Sequence, residues 1–211
     1  MENNAYKEKL AEHLLQIKAI QLNTQTPFTW TSGIKSPVYC DNRKLLSFPE
    51  VRDYVRDGFI GLVNEYFNTA DCIAGVATAG IPHGAILADH LNLPFVYVRS
   101  KPKEHGLNNT IEGDLKHGTR VLVVEDTIST GGSSLKAVAD LRAAGAEVIG
   151  MIAIYKYGFE ETKQRFEDDG VILKTLTSYD FVIRSAVEHN HISKDALETL
   201  NAWRANPKEW K

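Results

Sequence analysis

From Asp71 onward the chain alternates short, uninterrupted apolar runs with segments of helical periodicity, and few folds accommodate that rhythm. The runs are "CIAGVA", "FVYVR", "VLVV", "VIGMIAIY" and "VILKTL". Helical stretches lie among them at Ile81 to Leu91, Gly132 to Ala144 and Phe159 to Phe166. A strand apolar on both faces must be covered on both, and a helical crossover returns the chain to begin the next strand in the same direction. The expected class is therefore α/β, a central mainly parallel sheet flanked by helices.

Ahead of this region, Leu10, Leu14 and Ile17 recur at helical spacing. A second helix, capped by Ser47, carries the stripe Val51, Val55, Phe59, Leu62, Val63 and Tyr66. The two enclose the irregular stretch "TPFTWTSGIKSPVYCDNR". A last helix starts at Ser193 and ends before Pro207, and the polar, aperiodic stretch from Ser100 to Gly118 reads as a long mobile loop. No repeat or linker-like composition break divides the chain, and a length of 211 residues with 43% hydrophobic content suits one domain spanning residues 1–211.

Charge narrows the function. A net charge of -3 and a pI near 6.2 remove the long-range attraction on which nucleic-acid or anionic-membrane binding relies, so any anion must be gripped locally. Cys40 and Cys72 form no CxxC pair, which argues against a disulfide framework or zinc ribbon. The start "MENNAYKEKLAEHLL" is unlike a signal peptide, and no apolar run reaches spanning length, so a cytoplasmic protein is expected.

The chemistry concentrates in "VLVVEDTISTGGSS", Val121 to Ser134. In an open α/β sheet ligands sit beyond the carboxyl ends of the strands, and Glu125 and Asp126 fall where the strand Val121 to Val124 ends. The next residues, Thr127 to Ser134, offer converging amides, hydroxyls and a helix N-terminus, which together favour a phosphate. Carboxylates beside a phosphate site fit a ribose 5-phosphate: the acids accept its hydroxyls and stabilise positive charge on the ring if an anion leaves C1. No GxxxxGK[ST] or strand-following GxGxxG exists, so ATP hydrolysis and hydride transfer lose support.

Other segments add less on their own. "GVATAGIPHG" can bring backbone amides at Ala77 to Gly80 close to a second anion. "RSKPKEHG" places Arg99, Lys101, Lys103 and His105 at the start of the expected loop, where they could close over a departing polyanion. His189 and His191 lack a third metal ligand in the sequence and read as surface residues. Cys40 has no evident base partner in sequence and is not read as a nucleophile.

Val121 to Ser134 resembles the phosphoribosyl pyrophosphate (PRPP) binding motif of type I phosphoribosyltransferases. "FTWTSGIKSPVYCDNR", Phe28 to Arg43, resembles the base-binding segment of orotate phosphoribosyltransferases, and "YVRSKPKEHG" followed by "IEG" resembles that family's catalytic loop. The resemblance implies the type I phosphoribosyltransferase fold, with a small hood that contributes to base binding, made mainly of residues 1–45 plus C-terminal elements, and a core of about 46–175. It implies transfer of ribose 5-phosphate from PRPP to orotate, with Mg2+ held mainly through PRPP and water rather than by a protein metal site, and a homodimer with shared active sites.

On the same resemblance, Glu125 and Asp126 hold the ribose hydroxyls, and Thr127, Ile128, Ser129, Thr130, Gly131, Gly132 and Ser133 hold the 5-phosphate. Arg99, Lys103 and His105 engage pyrophosphate, with Lys101 able to compensate for Ser100, and Ala77 to Gly80, Ala79 included, form the pyrophosphate loop. Backbone around Val38 to Cys40, Tyr39 included, frames the base with Lys35 and Ser36 nearby, Ser129 also touches orotate, and Lys103, His105 and Asp126 are the catalytic set. Four positions depart from the better-known members: Thr31 and Ala79 stand where many carry lysine, Ser100 replaces a second cation, and Lys156 stands where an arginine is common. Two rival functions share the PRPP site, a transferase for another nucleobase and a PRPP-sensing regulator that binds nucleic acid. The acidic balance argues against the second.

Overall fold

The computed structural model describes residues 4–30, 33–100, 110–193, 195–207 and 209–210. It falls into two compact units, one taking in the chain before Asp53 and from Thr177 onward, the other Asp53–Leu176.

The first unit opens with α1 (Asn4–Gln16), which buries Leu10, Ala11, Leu14 and Leu15. The stretch read as irregular contains two antiparallel pairs: β1 (Ile20–Leu22) with β4 (Val38–Cys40), and β2 (Phe28–Thr29) with β3 (Lys35–Ser36). Each strand is two or three residues long, too short for period-two patterning to show. A 3-10 turn, Asn42–Ser47, leads into α2 (Pro49–Tyr66), which crosses from the first unit into the second. The helix begins at Pro49, two residues after the expected cap Ser47, since proline's fixed φ and missing N–H suit the first helical position.

The second unit is built on a six-stranded sheet. Its elements are β5 (Cys72–Val76), α3 (Gly80–Leu91), β6 (Phe95–Val98), β7 (Ile111–Glu112), β8 (Arg120–Ile128), α4 (Gly132–Ala143), β9 (Glu147–Lys156), α5 (Glu160–Asp168) and β10 (Leu173–Ser178). The strand order is β10-β9-β8-β5-β6-β7; β5 pairs parallel with β6 and β8, β8 parallel with β9, and β7 antiparallel with β6. Val121, Leu122, Val123 and Val124 are all 0% exposed, which is why β8 reads as an unbroken apolar run instead of an alternating one. The expected mainly parallel sheet is thus present.

Three local expectations change. The stretch Ser100 to Gly118 is not all loop, because Ile111 is buried and pairs with Val98 to form an edge strand. The sequence spacing of Leu135, Val138, Ala139 and Arg142 predicts the sheet-facing side of α4, but the inner face is Ser134, Ala137, Val138 and Leu141, a rotation that brings a serine inward. The chain after β10 continues at once into α6 (Tyr179–Glu188), and a final helix α7 (Ala196–Ala205) begins three residues later than Ser193. In the first unit Tyr179 Oη donates to Leu200 O at 2.9 Å, and the Trp203 ring nitrogen donates to Lys35 O at 3.0 Å. No helix among the described residues is long and apolar enough to cross a membrane.

Candidate active site

The acids do not follow the strand; they lie within it. β8 runs to Ile128 because its ladder with β9 continues through Glu125–Ala153, Thr127–Tyr155 and Ile128–Lys156. Its ladder with β5 stops at Gly75–Val124. From Glu125 onward β8 is therefore paired on one side only, and that open edge faces the turn from β5 into α3.

Gly80 fills part of the gap. A Cβ there would stand 2.5 Å from Val124 O and 3.2 Å from Glu125 Cα, so only glycine lets the start of α3 approach the strand this closely. Ala79 precedes it as a half-buried N-cap without a side-chain cap bond, and the Ala77–Thr78 peptide just before is cis. The first-turn amides of α3 consequently end beside the open edge of β8.

The adjacent carboxylates sit in different surroundings. Glu125 is 6% exposed; its Oε1 accepts the Asp126 N–H at 3.0 Å and its Oε2 the Ser134 hydroxyl at 3.2 Å. Burial, reinforced by the neighbouring Asp126 charge, pushes its carboxyl well above the usual range. Asp126 is only half-buried, and its Oδ2 accepts the Thr127 hydroxyl at 3.0 Å. A half-buried acceptor thus stands beside a buried acid that clamps strand to helix.

After Ile128, which is only 1% exposed as a whole residue, the chain turns through Ser129, Thr130 and Gly131. Gly131 has φ +77, a left-handed conformation that glycine adopts without strain, and Leu135 N–H donates to Gly131 O at 2.9 Å to begin α4. The amides of Gly132, Ser133 and Ser134 precede that bond and have no intrahelical acceptor. Gly132 and Ser133 are exposed, and partial positive charge gathers at this end. Beneath the turn, α5 supplies Thr162 Oγ1, which donates to Ser129 O at 2.7 Å, and Arg165, which donates to Thr130 O at 3.4 Å. Neither was visible from sequence, for Thr162 lies 33 residues from its partner in an ordinary amphipathic helix.

The other expected site residues are distributed as follows. Arg99 stands at the root of the β6–β7 connection, its N–H bonded to Thr110 O at 2.8 Å and its guanidinium to Glu112 at 3.3 Å. Lys101, Lys103 and His105, like Thr31, lie outside the described residues. In the first unit Lys35 is exposed on β3, while Tyr39 and Cys40 are half-buried on β4, with Tyr39 against Phe28 at 5.5 Å between ring centroids. Ser36 fixes the link from β3 to β4, donating to Val38 O at 2.7 Å and accepting from Val38 N–H at 3.0 Å. His189 and His191 are exposed, with His189 Nδ1 2.9 Å from Ser185 O.

Comparison with known proteins gives the family. The phosphoribosyl transferase domain model matches residues 42–190. The orotate phosphoribosyltransferase of Cytophaga hutchinsonii is 52% identical over 206 residues, covering 98% of this chain and 99% of that protein. That of Bacteroides fragilis is 57% identical over 200 residues, covering 95% and 94% respectively. The crystal structure of orotate phosphoribosyltransferase from Aeropyrum pernix has a TM-score of 0.75 at 29% identity, across 87% of this chain and 99% of that one. These sequences are alike from end to end, and the chain belongs to the phosphoribosyl transferase family, in its orotate phosphoribosyltransferase branch.

Proposed function

We propose that the chain transfers ribose 5-phosphate from PRPP to orotate, giving orotidine 5'-phosphate and pyrophosphate in UMP synthesis. One observation carries the reading: the half-buried Asp126 carboxylate borders a turn whose carbonyls at 129 and 130 are tied to α5 and whose next amides begin α4. The 5-phosphate lies on the amides and hydroxyls of Thr127 to Ser133, and Asp126, with Glu125 beside it, takes the ribose hydroxyls.

At C1 the bond to the pyrophosphate oxygen breaks as the orotate nitrogen bonds from the opposite face, through an oxocarbenium-like sugar. Asp126 stabilises the positive charge that develops there, so the catalysis is electrostatic and positional, without a covalent enzyme intermediate. Arg99, Lys101, Lys103 and His105 are assigned to the departing pyrophosphate, Ala79 and Gly80 to its loop, and Lys35, Tyr39 and Cys40 to the base. Lys156 can offer orotate a charge but not the planar fork of an arginine.

Mg2+ belongs to the same proposal. No group of three or more His, Cys, Asp or Glu side chains able to hold a metal occurs among the described residues. The donors that fit this hard cation are PRPP oxygens and water, with Asp126 as the protein carboxylate next to them. When bound it neutralises charge on the pyrophosphate. A homodimer in which Lys103 and His105 of one protomer serve its partner's site completes the assignment.

The test is to mix the purified protein with PRPP, Mg2+ and orotate and follow orotate absorbance. Loss that requires all three is expected; no loss, or equal consumption of PRPP with a purine base instead, would overturn the reading.

A further inference from the structure

A loop that binds an anion with backbone amides must hold those amides on one side, and nothing in Ser129-Thr130-Gly131 itself forces that orientation. α5 supplies the constraint. In a trans peptide the C=O and the following N–H point in opposite directions, and both the Ser129–Thr130 and Thr130–Gly131 peptides are trans. Thr162 Oγ1 draws the Ser129 carbonyl toward α5 at 2.7 Å, which turns the Thr130 N–H away from that helix. Arg165 does the same to the Thr130 carbonyl at 3.4 Å, and so to the Gly131 N–H. Phe166 closes the underside, its ring edge 2.9 Å from where a Gly131 Cβ would stand. Thr162 is 5% exposed, so no water replaces its hydroxyl readily.

We propose that Thr162, assisted by Arg165, is a positioning residue for the PRPP 5-phosphate: from beneath the loop it presets two consecutive amides toward the ligand without touching it. This inference rests on the proposed transferase reading. Since the 5-phosphate does not react, its grip is felt equally in ground and transition states, and loosening it raises KM while sparing kcat.

The experiment compares wild type with Thr162→Val, which keeps volume but loses the hydroxyl, and Thr162→Ser, which restores it. Ribose 5-phosphate binding is followed by calorimetry and the reaction by steady-state kinetics. In Thr162→Val the Kd for ribose 5-phosphate and the KM for PRPP rise on the order of 5- to 10-fold, with kcat and the orotate KM within about 2-fold, and Thr162→Ser recovers. Binding unchanged in Thr162→Val, an equal rise in orotate KM, or Thr162→Ser as impaired as valine would each overturn the proposal. Should the valine variant fail to fold, Arg165→Met on the exposed side decides: a rise in Kd of roughly 2- to 3-fold supports the role, and none refutes it. Wild type that binds no ribose 5-phosphate instead overturns the transferase reading itself.

Discussion

Ser134 Oγ and Glu125 Oε2 are 3.2 Å apart, a hydrogen bond that ties the first turn of α4 to the strand carrying the acidic pair. Glu125 therefore serves as a buried clamp, and its acidity reports on the clamp. With its carboxyl raised by burial, the folded chain holds this proton more tightly than the unfolded chain does. The resulting stability is complete below the ordinary carboxylate range and is lost as pH rises through the raised value. Glu125→Gln keeps the shape without the proton. The variant is expected to gain Tm relative to wild type as pH goes from about 5 to about 8, while PRPP turnover falls. A constant Tm difference across that span would show that Glu125 is not a raised acid.

Asp126 is the less buried of the pair, so its loss should act on the reaction more than on folding. Asp126→Asn is expected to lower kcat/KM for PRPP about 10- to 100-fold, while unfolding free energy stays within about 0.5 kcal/mol. Full PRPP affinity and rate in that variant would remove the residue from the site.

Gly80 is a matter of contact distance. Gly80→Ala sets a methyl 2.5 Å from Val124 O, and backbone rather than a flexible side-chain tip must yield. A destabilisation of about 1–3 kcal/mol in urea unfolding is expected, together with reduced activity. Gly132→Ala is the control for stability, since nothing lies within 4 Å of its Cβ position, and it should change stability by less than about 0.5 kcal/mol.

The two thiols should separate cleanly. Cys72 is 2% exposed and burial pushes its thiol up to about 11, whereas Cys40 is half-buried. With a disulfide reagent at about pH 8, Cys40 is expected to react in the native protein and Cys72 only at the rate of unfolding. Two equally fast thiols would contradict the packing of β5.

The central strands were legible because residues such as Val121 to Val124 are buried on both faces, a condition that writes itself into sequence as an apolar run. The phosphate-type turn was legible for the same local reason, with small residues and hydroxyls falling between strand and helix. What could not be read depends on distant partners. The extension of β8 to Ile128 is set by β9, the burial of Glu125 by Ser134 turning inward, and the orientation of the Ser129 carbonyl by Thr162. The short strands around Val38 escaped because each is too short for a pattern to register; the helix after Ser178 escaped although Ser178 stands at its N-cap position and Tyr179, Val182, Ile183 and Ala186 recur at helical spacing.

The most direct measurement is the amide NMR spectrum of the labelled protein during titration with ribose 5-phosphate. Saturable shifts at the Thr130, Gly131, Gly132 and Ser133 amides, weakened in Asp126→Asn, are predicted. Saturation that leaves those four amides unmoved while others shift would contradict the placement of the phosphate and, with it, the function built on it.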